Sequence, residues 1–466
     1  MLDFAIFAVT LLATLLCAVF YLYPASRKST GFPGLSPTDE KDGNLADIVA
    51  AGSLHAFLEH LHRDYGPASS FWFGRRLVVS LASLPLLSEH INPNRTCDPF
   101  EAMLKSLLGF EAKGTQVGDH LRRKLYEKAV NKALHGSMEM LLELSHELQK
   151  QWKSLPIDEH IPLHQHMMGF ALRAITCATL GQSFADGSQL FALRRNHDTL
   201  WSEIGKGFLD GSLERDLNRR KHFDNALQEM RAVVERAVEG TKCGVSVVSS
   251  PTAFLDILLQ GSDSSEQVVE DAMTFCLAGC NMTANLCTWA LYFLAANVEE
   301  QELLRQELQE VVGESFLTVE KLNKLERCKC ILQEAARAAM LVPVTAQLQE
   351  RDGRVSGQTV SKDTLVVYAL GVITKDEAIW SEPCRFDPRR FVDNPEAQKN
   401  LALIGLAGLQ LCPELRFAYH AAMVLLCSLC RKFKLRLADT QPVELQPELV
   451  TTPMEEVWLC VSEHKV

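Results

Sequence analysis

The chain opens with an uncharged, almost wholly apolar run over residues 4–23. Twenty helical residues at ~1.5 Å each span about 30 Å, the hydrocarbon thickness of a bilayer. A cleaved leader carries basic residues ahead of such a run and small ones at its end. Here Asp3 precedes the run, and Arg27 and Lys28 follow it. The pattern predicts one uncleaved N-terminal transmembrane helix with the rest of the chain on the cytoplasmic side. Residues 31–37, Gly-Phe-Pro-Gly-Leu-Ser-Pro, come next. Proline fixes φ and lacks an amide hydrogen, so this stretch stops any helix and predicts a stiff, proline-rich hinge.

From residue 38 to 466 the pattern is mostly that of helices, and no linker divides it. Residues 268–296 are apolar on nearly every side, which predicts a long helix buried through the middle of a large domain. Asp263 and Glu266 supply its start signal. A second helix is expected from Thr318 through Leu322, Leu325, Cys328 and Leu332 to Met340, stopping before Pro343. Short β-like pieces occur at residues 69–81 and 365–370. The expected architecture is mainly α with small β-sheets.

Forty-seven Lys and Arg against 58 Asp and Glu leave a net charge of −11, which disfavours a nucleic-acid binder. The 14 cysteines are scattered through apolar helical stretches. A chain this large needs no disulfide staples, so free thiols are expected. His160, His164 and His166 flank Pro162 at a helix start and read as solvated or capping histidines. No Gly-x-Gly-x-x-Gly or phosphate-loop pattern occurs, so any electrons must come from a partner protein.

Four patterns, in order, carry a resemblance. In the long apolar helix stands Leu277-Ala-Gly-Cys-Asn-Met-Thr283, where Gly279 in mid-helix hints at a close approach. Glu334-Ala-Ala-Arg337 is one of three Glu-x-x-Arg matches, with Glu302–Arg305 and Glu382–Arg385. Its setting in an amphipathic helix before Pro343 singles it out, and burial there demands a partner. Phe386-Asp-Pro-Arg-Arg-Phe391 offers one in Arg390. Two unrelated surface ion pairs are the plain alternative. Last comes Ala407-Gly-Leu-Gln-Leu-Cys412-Pro-Glu-Leu-Arg-Phe-Ala418. A cysteine at such a loop-to-helix junction faces unpaired backbone N–H groups, which favour its thiolate.

Together these patterns resemble the cytochromes P-450, most closely their vertebrate orphan family 20, over most of the chain. The resemblance implies a cytochrome P-450 fold and haem b (iron protoporphyrin IX), with Cys412 as axial ligand to the haem iron. It implies a Glu334–Arg337–Arg390 triad and a backbone passing close beneath the ring at Gly408. His120 and Lys124 take the positions of a helix that reaches the haem propionates, and Gln410 stands where an arginine would contact one. Asn281 and Thr283 lie near the oxygen site. The chain departs from the family pattern at Gly405, Gln410 and Glu414 around the cysteine, and Glu414 is expected to point outward. Met282 stands at the usual hydroxyl position. Thr283, ~100° further round the helix, serves only if the helix is bulged or re-registered.

The reading implied is a monooxygenase of the endoplasmic reticulum, anchored by a single pass. It would insert one oxygen atom from O2 into a lipophilic small molecule, using electrons from an NADPH-dependent flavoprotein reductase. Arg122, Arg123, Lys124, Arg416, Arg431, Lys432 and Lys434 would offer that reductase a basic face. Met282 keeps a second reading open, a redox-independent haem isomerase or low-turnover haem-binding protein. A haem-free, membrane-tethered interaction protein is the third.

Overall fold

The computed structural model describes residues 31–91, 99–110, 116–156, 159–181, 187–204, 212–243, 253–262, 264–349, 351–406, 412–439 and 441–464. The expected anchor at 4–23, Asp263, Gly408, Gln410 and the side chain of His120 lie outside what it describes. Among the described residues no helix is long and apolar enough to cross a membrane.

The helices that position the site are α1 (Leu54–Tyr65), α2 (Pro99–Leu107), α3 (Gln116–Gly136), α4 (Met138–Ser154), α5 (Leu163–Leu180), α6 (Gly187–Ser202), α7 (Leu217–Lys242), α8 (Ser265–Ala296), α9 (Val298–Val311), α10 (Glu326–Ala338) and α11 (Pro413–Cys430). The 32-residue α8 is the axis of the domain. Every side chain from Val268 to Tyr292 is buried, chiefly against α5 on one flank and α11 on another. Ser264 caps it, accepting from the Gln267 N–H. That hydroxyl does the work expected of Asp263.

The expected single helix from Thr318 to Met340 is two. Val319–Leu322 forms one turn capped by Thr318, and the chain re-enters helix only at Glu326. The cause lies on a neighbouring helix. The Glu307 carboxylate of α9 accepts from the backbone N–H groups of Arg327 and Cys328, at 2.8 and 3.1 Å. It thus satisfies the first-turn donors of a new helix, and a periodicity argument has no access to that partner.

The main sheet has four strands: β1 (Ala68–Phe73), β2 (Arg76–Leu81), β3 (Thr345–Leu348) and β4 (Leu365–Tyr368). Their order is β1-β2-β4-β3, with only the β2–β4 pair parallel. One face packs on α1 through Phe57 and Leu58. The proline-rich stretch is seated on this sheet. Ser70 donates its N–H to Pro33 O at 2.8 Å and accepts from Leu35 N–H at 3.0 Å, and Phe32 is buried. A Cβ on Gly34 would lie 1.9 Å from the Ser70 carbonyl oxygen, so only glycine permits this approach.

Buried imidazoles give the fold an acid limit. His164 lies beside Thr288 of α8, Nδ1 to Oγ1 at 3.5 Å. Burial, helped by the Arg194 charge and opposed by Asp198, pushes its pKa down to about 4. Burial, with a smaller push from His135, takes His420 of α11 to about 4 as well. His166 accepts from Trp152 Nε1–H at 2.8 Å, and no metal-sized cluster of His, Cys, Asp and Glu occurs among the described residues. A histidine whose folded pKa lies below its unfolded value stabilises fully above ~6.5 and loses that contribution as pH falls toward the folded value. At pH 5 the loss is roughly 2 kcal/mol for each of these two residues. The urea midpoint is therefore expected to drop clearly between pH 7.5 and pH 5, and an unchanged midpoint would refute this assignment.

Candidate haem-thiolate site

Cys412 is the residue before α11, with extended backbone (φ −62°, ψ 150°), and Pro413 takes the first helical position. Proline suits that position, because its missing N–H would have no partner there. The thiol is buried, 6% exposed. It sits at the positive end of an 18-residue helix, where the macrodipole and free N–H groups favour an anionic sulfur. Two other described thiols are held protonated. Burial pushes Cys276 up to about 12 and, with Glu326 and Glu307 nearby, Cys330 up to about 11. Cys328 and Cys330 are buried, unpaired thiols.

Directly across from Cys412 stands α8. Met282 Sδ lies 3.6 Å from Cys412 Sγ, and Met282 is fully buried. The helix is regular through this region, with no bulge. Neighbouring side chains therefore fan out at regular helical angles. The Asn281 amide turns to α6, 2.7 Å from His197 Nε2, and also donates to Leu277 O at 3.2 Å. Cys280 contacts Met168 of α5. A Cβ on Gly279 would meet Ile175 Cδ1 of α5 at 2.8 Å, so the close approach at this glycine is to a neighbouring helix. Thr283 Oγ1 is buried with no hydrogen-bond partner among the described residues. Without re-registration of α8, Met282 is the side chain of this stretch that meets Cys412.

Glu414 does not point outward. It is fully buried and accepts a short hydrogen bond from the Tyr126 hydroxyl of α3. Burial first, then the Glu414 charge, push the Tyr126 phenol well above its ordinary range, so it remains a donor. Around this pair lies a layer of charge. Lys105 of α2 reaches Glu101 at 2.6 Å and Asp271 of α8 at 2.8 Å, and its ammonium lies 5.6 Å from the Tyr126 ring centre. Arg122 of α3 bridges Asp271 at 2.8 Å and Glu270 at 3.1 Å. Together with the helix N-terminus, these groups offset the cost of a buried carboxyl.

On α3 the base that turns inward is thus Arg122, while Lys124 is exposed. The two differ by ~200° around a helix, so they cannot share a face. The sequence signal for this choice was Tyr126, one helical turn beyond Arg122. The signal for the acidic side was a Glu270–Asp271 pair inside an apolar run. The proposed basic face loses Arg122 to this network, and Arg416 donates to Asn131 Oδ1 at 3.1 Å. Lys432 and Lys434 remain exposed.

Behind the site, the structure brings Glu334, Arg337 and Arg390 together. Both oxygens of Glu334 accept from Arg337, each at 2.8 Å, and Oε1 also accepts from Arg390 Nε at 2.9 Å. The Asp387 N–H donates to the same oxygen at 2.9 Å. Arg337 further donates to Thr374 O at 2.9 Å and lies over the Trp380 ring. These bonds tie α10 to the segment around residues 374–390 with charge-assisted geometry.

The family profile described as Cytochrome P450 matches residues 42–461. The chain is 49% identical to "Cytochrome P450 20A1" of Mus musculus, over 99% of this chain and all of that protein. It is 48% identical to the protein of the same name in Homo sapiens, with the same coverage. "Cytochrome P450 4V2" of Rattus norvegicus is 30% identical over 44% of this chain and 42% of its own length. The family binds haem b through a cysteine thiolate, and the donor set here fits that role: a buried thiol at a helix N-terminus, facing a long buried helix through a soft and flexible methionine. With a shared haem cofactor the haem-free reading loses its support. The chain belongs to the cytochrome P450 family of haem-thiolate enzymes, generally monooxygenases.

Proposed function

We propose that this chain is an endoplasmic-reticulum monooxygenase, anchored by residues 4–23. It transfers one oxygen atom from O2 to a lipophilic small molecule, with electrons from an NADPH-dependent flavoprotein reductase. The observation that carries the reading is Cys412, a buried thiol at the head of α11 that faces α8. Haem b, when bound there, supplies dioxygen binding and reductive O–O cleavage, which a thiolate ligand favours.

The chain's own residues do the rest. The α11 N-terminus holds Cys412 as thiolate. The Glu334, Arg337 and Arg390 cluster braces the segment behind it. Thr283 brings a buried hydroxyl without a hydrogen-bond partner among the described residues, and Asn281, joined to His197, brings a polar pair. On the regular α8 neither of these meets Cys412, so a proton would have to reach the site through intervening water, because the Met282 thioether can donate none. The uncharged run at 4–23, followed by Arg27 and Lys28, supports the membrane attachment. Exposed Lys432 and Lys434, with Lys124, support docking of an acidic flavoprotein.

The missing hydroxyl at Met282 favours a second reading, rearrangement of a hydroperoxide without external electrons. Haem-loaded full-length protein, mixed with reductase and a panel of lipophilic substrates under 18O2, separates the two. The monooxygenase reading predicts NADPH-dependent product carrying one 18O atom. Hydroperoxide turnover that is indifferent to NADPH, with no 18O incorporated, would contradict it.

A further inference from the structure

We propose that Met282 is the second axial ligand of the haem iron, its thioether sulfur closing the face opposite Cys412 in the resting protein. The proposal rests on the reading of Cys412 as the haem thiolate and adds how access to that site is controlled.

The case begins with direction. Along residues 279–283 of α8, Gly279 and Cys280 meet α5, Asn281 meets His197 of α6, and Thr283 has no hydrogen-bond partner among the described residues. Met282 meets Cys412, sulfur to sulfur at 3.6 Å, and both residues are buried. A metal–sulfur bond is about 2.3 Å long, so an iron held between two sulfurs in line needs them about 4.6 Å apart. The two sulfurs would have to part by at least about 1 Å on bond lengths, and α8 and α11 would have to make room around them for the macrocycle. Methionine is unbranched, with three soft torsions beyond Cα, and adapts to such a change more easily than any β-branched side chain.

The chemistry also fits. A thioether is neutral, so ligation buries no charge and releases no proton. Methionine serves as an axial haem ligand elsewhere in biology. A hydroxyl at this position would be a far weaker donor to iron, and a shorter one. With Met282 bound, both axial positions are filled. Were haem bound in this way, the Met282 thioether would have to leave before dioxygen could reach the iron.

The test is iron-edge X-ray absorption on the full-length, haem-loaded ferric protein grown with selenomethionine. The iron reports only its own neighbours, so the other methionines do not interfere. The expected result is one selenium and one sulfur in the first shell, with the selenium lost in Met282→Leu. Electron paramagnetic resonance of that variant should then show a changed signal, as water or an empty position replaces the thioether. A sulfur neighbour without selenium in the unsubstituted protein overturns the proposal and leaves the Cys412 assignment standing. Absence of both sulfur and selenium overturns the Cys412 assignment, and this proposal with it. Because the labelled wild-type chain decides the matter, poor folding of the leucine variant cannot hide the answer.

Discussion

Glu334→Ala is expected to cost about 3–5 kcal/mol of folding stability, whereas Glu302→Ala, in the same four-residue motif, costs no more than about 1 kcal/mol. The two carboxylates sit three residues before an arginine on a helix, and each pairs with it. Their surroundings differ. Glu302 and Arg305 are 46% and 41% exposed, so water already solvates both charges. Glu334 and Arg337 are both 0% exposed. Removing Glu334 leaves the Arg337 guanidinium buried beside Trp380 without a counter-charge, takes the acceptor from Arg390, and orphans the Asp387 N–H. Thermal or urea unfolding of the two variants measures the difference. Equal, small losses in both would mean that the triad does not brace the domain.

Cys412→Ala should do the reverse, sparing the fold and removing the thiolate signature of the haem. The thiol touches Met282, and its loss leaves a small apolar gap at a helix head, with Pro413 still in place to start α11. The stability cost is on the order of 1 kcal/mol, while the iron loses its charged ligand outright. Electron paramagnetic resonance of the ferric protein reads the ligand, and unfolding curves read the fold. A variant that retains the thiolate signal would assign the ligand to another cysteine. The elevated pKa values of Cys276 and Cys330 argue against those two.

Much of the domain's axis was legible from the amino-acid pattern. Residues 268–296 are apolar over so many turns that only a buried helix suits them, and α8 occupies that span. Of the β-like pieces expected at residues 69–81 and 365–370, the first is a hairpin and the second holds the strand at 365–368. The grouping of Glu334, Arg337 and Arg390 was suggested by motif setting together with family resemblance, since two other Glu-x-x-Arg copies read identically in isolation. What the pattern could not carry depends on partners far away in the chain. The break before Glu326 needs Glu307 from another helix. The buried state of Glu414 needs Tyr126, which lies 288 residues earlier. A local reading sends a carboxylate outward by default, because burial without a donor costs several kcal/mol. The choice of Arg122 over Lys124 was open to a helical-face argument, but only once Tyr126 had been recognised as the buried face of α3.

Met282 shows the same limit from another side. As a residue type it reads as a loss, a hydroxyl replaced by a group with no proton to give. Only the fold reveals that its sulfur has been placed against the sulfur of Cys412.

The most direct test of the account is the reduced, carbon-monoxide-bound difference spectrum of the full-length, haem-loaded protein in membranes. Thiolate ligation by Cys412 predicts the long-wavelength band characteristic of this family, abolished in Cys412→Ala. A shorter-wavelength band alone, or a long-wavelength band that survives the substitution, would contradict it.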